Sequence, residues 1–179
     1  MKTILVPTDF SKCSYNATHY AMAIAKALKA KIILLHIYQN PLSATDLPLD
    51  ELINKRPYIE AIKQLKEMCN YELRLHGNND LEIGYEAKEG LTDSEIISAS
   101  IYHGTEMIVM GTHGASGMIK KYILGSNTAS VISKAQCPVL SVPENAKYFG
   151  FKRIVFASDF RELKNNSQIE SLLKLALLF

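Results

Sequence analysis

Residues 107–128, MIVMGTHGASGMIKKYILGSNT, decide the fold. Met107 to Met110 form a short apolar run, which is typical of a strand buried on both faces of a parallel sheet. A glycine-rich segment from Gly111 to Gly125 follows, and a helix is predicted from Ser126 to about Ala135. The stretch therefore predicts a strand, a glycine loop and a helix in succession.

Strands and helices alternate along the rest of the chain as well. A fully apolar run at 4–6 and a second, largely apolar run at 32–37 predict buried strands, and the alternating run at 81–87 predicts a half-exposed strand at a sheet edge. Residues 41–54 are predicted as a surface loop and 138–142 as a last short strand. Three further helices are predicted, from Ser11 or Ser14 to Leu28, from about Pro57 to Gly77, and from Thr92 or Asp93 to Gly104.

This alternation predicts an α/β fold for residues 1–145. Parallel strands need long crossover connections, and such crossovers are right-handed. We therefore expect a doubly wound, five-stranded parallel sheet in the order 3-2-1-4-5, with helices on both faces.

The end of the chain resembles its beginning. Residues 152–160, KRIVFASDF, match residues 2–10, KTILVPTDF, at an offset of 150 residues. Residues 146–179 are therefore predicted to be a linker followed by the first strand and helix of an incomplete second copy, as in a fragment of a longer tandem protein. A chance likeness between two apolar strands is the alternative.

Composition excludes several classes of protein. Of the 179 residues 47% are hydrophobic, too many for a disordered chain, and the formal charge of +2 comes from mixed signs, unlike that of a dedicated nucleic-acid binder. Three cysteines are too few for a disulfide framework or a paired zinc site, and His19, His36, His76 and His103 are scattered, which argues against a metal site. Without a signal peptide or a membrane-length apolar run, the chain is expected to be cytoplasmic and to have no membrane partner.

Two unusual segments follow strands of the predicted sheet. Pro7-Thr8-Asp9 follows the first strand, and Gly111 to Gly125 follows the fourth. In the order 3-2-1-4-5 these strands are neighbours, so the two segments face each other across the crevice where open α/β sheets bind ligands. We expect a binding site in this crevice.

The glycine segment has the chemistry of an anion cradle. Gly111, Gly114 and Gly125 would let backbone N–H groups approach a ligand, and the helix start at 126–128 carries partial positive charge that favours phosphate. The alternative is that the glycines only make a turn and the serine only caps the helix. The sequence contains no P-loop motif, no G-x-G-x-x-G after the first strand and no G-x-S-x-G hydrolase elbow at this loop.

These pieces, in this order, resemble the universal stress protein family over residues 1 to about 143. The resemblance rests on VPTDFS at 6–11, LLHI at 34–37, IVMGTHG at 108–114, GSNT at 125–128 and CPV at 137–139. Family members that bind ATP carry the pattern G-x2-G-x9-G-[ST]. In this chain the spacer, residues 115–124, has ten residues instead of nine.

The resemblance implies a site for ATP or AMP, with or without Mg²⁺. It places Asp9 on the ribose hydroxyls, where a carboxylate accepts two hydrogen bonds, although capping the next helix is an alternative role. A turn-stabilising hydrogen bond, not catalysis, is expected of His113. The residues implied to line the adenine slot are Pro7, Thr8 and Ile37, and those implied to surround the phosphates are Met110, Gly111, Gly114, Gly125, Ser126, Asn127 and Thr128.

The resemblance further implies a nucleotide-binding regulatory protein of the stress response. The sequence shows no arginine finger, no Walker-type lysine and no acid pair for a metal, so we expect a slow ATPase at most. A nucleotide-free interaction module of the same fold is the alternative. Residues 137–142 resemble the family's dimer strand, so a homodimer through this edge is implied in both cases.

Overall fold

A computed structural model describes residues 2–39, 51–77, 81–113 and 124–155, together with residues 157, 173 and 176. Its strands are β1 (Thr3–Pro7), β2 (Lys31–Tyr38), β3 (Ile83–Glu89), β4 (Met107–Gly111) and β5 (Val139–Val142). Its helices are α1 (Lys12–Leu28), α2 (Glu51–His76), α3 (Thr92–Tyr102) and α4 (Ser126–Lys134). None of these helices is both long and apolar enough to cross a membrane.

The five strands form one parallel sheet in the order β3-β2-β1-β4-β5, which confirms the predicted topology. At its centre, Leu5 of β1 lies opposite Ile33 of β2 and Ile108 of β4. The predicted edge strand is β3, and it begins at Ile83, two residues later than expected. This order makes β1 and β4 neighbours, so the segments that follow them share one end of the sheet.

Helices cover both faces of the sheet. On one face α3 and α4 contribute Ile96, Ala99 and Val131 to a buried cluster that includes Leu5 and Met110. Since successive side chains of a strand point to opposite faces, the alternate residues of β1, β2 and β4 are buried under α1 and α2. Those residues are Ile4, Val6, Ile32, Leu34 and Val109.

Helix α1 has well-defined ends. Ser11 is the N-cap, because its hydroxyl accepts a 3.2 Å hydrogen bond from the backbone N–H of Ser14. The hydroxyl of Ser14 instead donates to the carbonyl of Ser11, so Ser11 is the cap among the two predicted candidates. The helix ends at Lys29, which adopts the left-handed conformation with φ 51°.

Helix α2 begins earlier than the sequence predicts. It starts at Glu51 and contains Pro57 in its interior, so residues 51–54 are helical and do not belong to the predicted loop. Proline is common in the first helical turn, which is why the sequence predicts the start of this helix at about Pro57. Its cost inside a helix includes the loss of a hydrogen bond to the carbonyl four residues earlier, and the helix tolerates this loss. The rest of the predicted loop, up to residue 50, lies outside the described residues.

The chain divides into two compact units, Met1–Ala146 and Lys147–Phe179. Within the second unit, residues 147–155 are neither helix nor strand, and Leu173 and Ala176 are helical. The predicted first strand of a second copy is therefore not formed over residues 152–155, and a strand requires a hydrogen-bonded neighbour. Apart from these positions and residue 157, the predicted copy lies outside the described residues, so the duplication stays a prediction.

Candidate functional site

A cavity of about 130 Å³ lies at the carboxyl ends of β1 and β4, at the crevice that the sequence predicts. It is bounded by the turn after β1, the end of β4 and the first turns of α3 and α4. The residues that line it are Pro7, Thr8, Asp9, Ser14, Ile37, Thr92, Ile96, Met110, Gly111, His113, Asn127 and Thr128.

Most of the residues implied by the sequence come together at this cavity. Pro7, Thr8, Asp9, Ile37, Met110, Gly111, Asn127 and Thr128 all line it. Gly125 and Ser126 are at the start of α4 but are not among the lining residues. Gly114 lies outside the described residues.

The turn after β1 is held by several hydrogen bonds. The buried Thr8 donates its backbone N–H to the carbonyl of Leu35 at 2.8 Å, and its hydroxyl accepts from the N–H of Phe10 at 3.0 Å. Phe10 has φ 60°, a left-handed conformation that is strained for an aromatic residue. Its ring lies 4.5 Å from that of His36, whose Nδ1 is 2.8 Å from the carbonyl oxygen of Thr8. These contacts fix the strained turn in one conformation.

Asp9 lies exposed on this turn. Its Oδ1 accepts a 3.1 Å hydrogen bond from the backbone N–H of Ser11. The helix cap itself is Ser11, so Asp9 stabilises the turn before the helix and does not cap it. An ionised carboxylate has about four acceptor positions. Asp9 can therefore hold the turn and still accept hydrogen bonds from a ligand.

The end of β4 is closed by two hydrogen bonds from the far side of the glycine segment. The N–H of Gly125 donates to the carbonyl of Thr112 at 2.7 Å, and the hydroxyl of Thr128 donates to the carbonyl of Gly111 at 2.9 Å. A Cβ atom on Gly111 would lie 2.8 Å from Cys13 Sγ. Close packing against α1 is therefore a reason for glycine at this position, besides the predicted approach of a ligand.

The start of α4 presents backbone donors to the cavity. Gly125 is the N-cap residue and has no side chain that could cap the helix. The carbonyl of Gly125 accepts from the N–H of Ala129 at 2.9 Å, so the N–H groups of residues 126–128 precede the first intrahelical hydrogen bond. With the helix dipole they form a region of partial positive charge beside the lining residues Asn127 and Thr128.

His113 makes the hydrogen bond that the sequence predicts. Its Nδ1 lies 3.0 Å from Thr112 Oγ1, within the turn. Its Nε2 lies 3.5 Å from Glu144 Oε2. Because both ring nitrogens have neighbours in the fold, the ring is held at the rim of the cavity.

Sequence reasoning missed Ser14, Thr92 and Ile96 as lining residues. Ser14 was considered only as a helix cap. The signal for the other two was the topology, because α3 must return across β2 and β1 to connect the edge strand β3 with β4. Its first turns therefore pass over the crevice at the end of β1.

Comparisons with known proteins agree with this architecture. The sequence model of the universal stress protein family matches residues 1–143. Universal stress protein MJ0531 of Methanocaldococcus jannaschii is 32% identical over 154 residues, which cover 82% of this chain and 84% of that protein. Universal stress protein MJ0577 of the same organism is 30% identical, with 79% of this chain and 94% of that protein covered.

Solved structures show the same fold. The structure of the hypothetical protein MJ0577 superposes with a TM-score of 0.65 at 28% identity, covering 82% of this chain and 98% of that one. The universal stress protein UspA from Lactobacillus plantarum gives a TM-score of 0.66 at 24% identity, covering 79% and 97%. On the strength of the family match and the two relatives that are at least 30% identical, this chain belongs to the universal stress protein family.

Proposed function

We propose that this protein binds an adenine nucleotide in the cavity between β1 and β4 and acts as a regulatory protein of the stress response. The observation that carries the proposal is the meeting of two chemically different loops at one cavity. One brings the carboxylate of Asp9, and the other brings the uncapped backbone donors at the start of α4. A ribose linked to a phosphate matches these two loops, because its hydroxyls can donate to the carboxylate and its phosphate can accept from the backbone N–H groups.

The lining residues suggest an orientation for the nucleotide. Pro7, Thr8 and Ile37 form the side of the cavity at β1 and β2, where the flat adenine ring would lie. Asp9 would accept hydrogen bonds from the ribose hydroxyls. The phosphates would lie between Gly111 and the N–H groups of residues 126–128, as anions commonly do at helix N-termini.

The size of the cavity supports partial enclosure of the ligand. Cavities that enclose drug-sized ligands usually measure about 300–1,000 Å³, whereas this one measures about 130 Å³. A nucleotide would therefore be enclosed only in part, with its phosphates at the start of α4.

Two structural neighbours support adenine nucleotides as the ligand class. One is a universal stress protein in complex with cAMP, with 24% identity and a TM-score of 0.57. The other is a universal stress protein from Archaeoglobus fulgidus in complex with dAMP, with 17% identity and a TM-score of 0.55. At these identities the likeness establishes the fold alone, so the lining residues described above carry the proposal for this chain.

We further propose ATP or AMP as the natural ligand, with turnover that is slow at most. Among the described lining residues Asp9 is the one carboxylate, and it is assigned to the ribose. Mg²⁺ in proteins is commonly bound by one or two carboxylates together with substrate phosphates, so here it would accompany the nucleotide through the phosphates and water. Efficient hydrolysis would also need a positioned base, and His113 already lies between Thr112 and Glu144.

Self-association through β5 is part of the same proposal. Val139–Val142 is an edge strand that pairs with β4 on one side, and an edge strand offers unpaired N–H and C=O groups to a second copy. The three cysteines are free thiols, which supports the proposed location in the reducing cytoplasm. A dimer without any nucleotide is the alternative function, and the following test separates the two.

The test uses thermal unfolding and calorimetric titration with ATP, AMP and a nicotinamide dinucleotide. A ligand at 100 times its dissociation constant adds about 2.7 kcal/mol of stability, which raises Tm by several degrees. Asp9→Asn keeps an acceptor for the N–H of Ser11 and removes the charge. We expect it to weaken AMP binding about tenfold, and to reduce the discrimination between AMP and its 2′,3′-dideoxy analogue.

The matched control is Glu106→Gln. Glu106 immediately precedes β4, so it lies at the amino ends of the strands, away from the cavity at their carboxyl ends. It should bind AMP as the unmodified chain does. Absence of binding by any adenine nucleotide would refute the proposal and favour the interaction module. Equal binding of AMP by Asp9→Asn would refute the assignment of Asp9 to the ribose.

A further inference from the structure

A second cluster of polar side chains lies between α1 and α2. It consists of His19 from α1 with Glu72 and His76 from α2. Glu72 and His76 are four residues apart, so they share one face of the helix. The cluster is held by α1 and α2 alone, and none of its three residues lines the nucleotide cavity.

The three ligand atoms form a compact triangle. His19 Nδ1 and His76 Nε2 are 3.0 Å apart, and each lies 3.6 Å from Glu72 Oε2. In a tetrahedral zinc site with bonds of about 2.0–2.1 Å, neighbouring ligand atoms are about 3.3 Å apart. The observed triangle has nearly these sides, and an ion slightly above its plane would lie about 2.0–2.1 Å from all three atoms.

The carboxylate of Glu72 lacks the partner that its burial requires. Glu72 is 1% exposed, and its Oε2 accepts no hydrogen bond from the described residues. Leu65, Met68 and Cys69 are buried on the same helix, so Glu72 continues a buried face that is otherwise apolar. Buried polar groups are nearly always paired. A cation between Glu72 and the two imidazoles would provide this pairing.

From this geometry we propose that His19, Glu72 and His76 bind a divalent transition-metal ion of the Zn²⁺ type. Two imidazole nitrogens and one carboxylate oxygen suit Zn²⁺, Co²⁺ or Ni²⁺, whereas Mg²⁺ and Ca²⁺ prefer oxygen ligands alone. His19 and Glu72 also line a surface cavity, through which water could reach a bound ion. The other residues that line it are Tyr15, Asn16, Glu67, Tyr71, Arg74 and Leu75. A water molecule as the fourth ligand would complete a tetrahedral site, and the bound ion would join α1 to α2.

Burial shifts the pKa values of two members of the cluster. It lowers the pKa of His76, together with the charges of His19 and Lys26, and it raises the pKa of Glu72 to about 7. The competing arrangement is a metal-free one, in which the two imidazoles share a hydrogen bond.

The test uses the tag-free chain after treatment with EDTA, because a histidine tag would itself bind the ion. Zn²⁺ is titrated against a chromophoric chelator, and Co²⁺ is added to look for the visible absorption of a tetrahedral site. We expect one ion per chain and a rise in Tm. His19→Ala and Glu72→Gln should each weaken Zn²⁺ binding about 100-fold or more.

Both variants are expected to fold. The side chain of His19 is 46% exposed, and Glu72→Gln replaces the carboxyl with an amide of the same shape. The controls are His103→Ala, because His103 pairs with Glu86 away from the cluster, and Cys137→Ser, which removes the partly exposed thiol. Both controls should bind Zn²⁺ as the unmodified chain does.

Three results would overturn the proposal. They are the absence of stoichiometric Zn²⁺ binding, binding that survives His19→Ala and Glu72→Gln, and binding that is lost in Cys137→Ser or His103→Ala. Because the readout is metal binding in the absence of nucleotide, these outcomes are independent of the proposed nucleotide function.

Discussion

The hydroxyl of Thr128 donates a 2.9 Å hydrogen bond to the carbonyl of Gly111 and so fixes the start of α4 to the end of β4. Thr128 is 3% exposed, so its side chain is held in the fold where this bond forms. The two residues are 17 positions apart in sequence, and the glycine segment between them follows no strand or helix pattern. The bond therefore helps to set the distance across the proposed phosphate site.

Removal of this hydroxyl should destabilise the protein. Thr128→Val keeps the shape of the side chain but leaves the partly buried carbonyl of Gly111 without this donor, so we expect a loss of about 1 kcal/mol. Thr128→Ser keeps the hydroxyl donor and should therefore keep much of the stability that Thr128→Val loses. Urea unfolding of the three proteins checks this expectation. Equal stability of the valine and serine variants would show that the hydrogen bond contributes nothing.

A methyl group at Gly111 should force α1 away from β4. The added Cβ would lie 2.8 Å from Cys13 Sγ and 3.2 Å from the carbonyl carbon of Cys13. Overpacking of this kind costs about 1–3 kcal/mol. The control is Gly84→Ala, whose Cβ would meet its nearest neighbour, Lys31 Cε, at 3.8 Å. Unfolding free energies should show a clear loss for Gly111→Ala that Cys13→Ala partly relieves, and little change for Gly84→Ala.

The C-terminus of α1 should gain stability from glycine. Lys29 is exposed and has φ 51°, a conformation that costs a residue with a Cβ about 1 kcal/mol. Lys29→Gly is therefore expected to raise the free energy of unfolding by up to about that amount. Ala27→Gly, two residues earlier inside the helix, should lower it by about 0.5–1 kcal/mol. Changes of the same sign in the two variants would contradict this account.

Acid should weaken the contact between α3 and α4. Hydrogen bonds from Lys134 Nζ and Ser130 Oγ, each 2.6 Å from Asp93 Oδ2, hold the pKa of Asp93 at about 2, below its ordinary value of 3.8. A depressed pKa in the folded state stabilises the protein above about pH 4, and this contribution disappears as pH falls through about 2.

Asp93→Asn should therefore lower Tm at pH 6, and the difference from the unmodified chain should shrink in strong acid. Thermal unfolding between about pH 2 and pH 6 measures this difference. Glu106→Gln, which removes an exposed carboxyl outside this contact, is the control. A difference between Asp93→Asn and the unmodified chain that stays constant with pH would rule out the titration of Asp93 as its cause.

The strands of the sheet could be predicted because each is marked by a local pattern in the sequence. The apolar runs of β1, β2 and β4 identify buried strands, and the chirality of crossovers leaves few possible orders. The same reasoning predicts that Asp9 and Gly111 lie at one crevice, and both line the cavity. The predicted start of α2 was wrong because Pro57 is a residue typical of a first helical turn. No other local signal in the sequence marks the true start at Glu51.

The polar cluster between α1 and α2 could not be found from the sequence. His19 and His76 are 57 residues apart, and their contact depends on how two helices pack on one face of the sheet. Likewise, the need for glycine at residue 111 depends on the position of Cys13 in α1. Such contacts between distant segments are not encoded in any periodic pattern, so they become visible only once the packing is known.

The 2.7 Å hydrogen bond from the N–H of Gly125 to the carbonyl of Thr112 joins the two ends of the glycine segment. Because this bond fixes where the segment leaves β4 and where it rejoins the fold before α4, the two ends of the segment set the position of the start of α4.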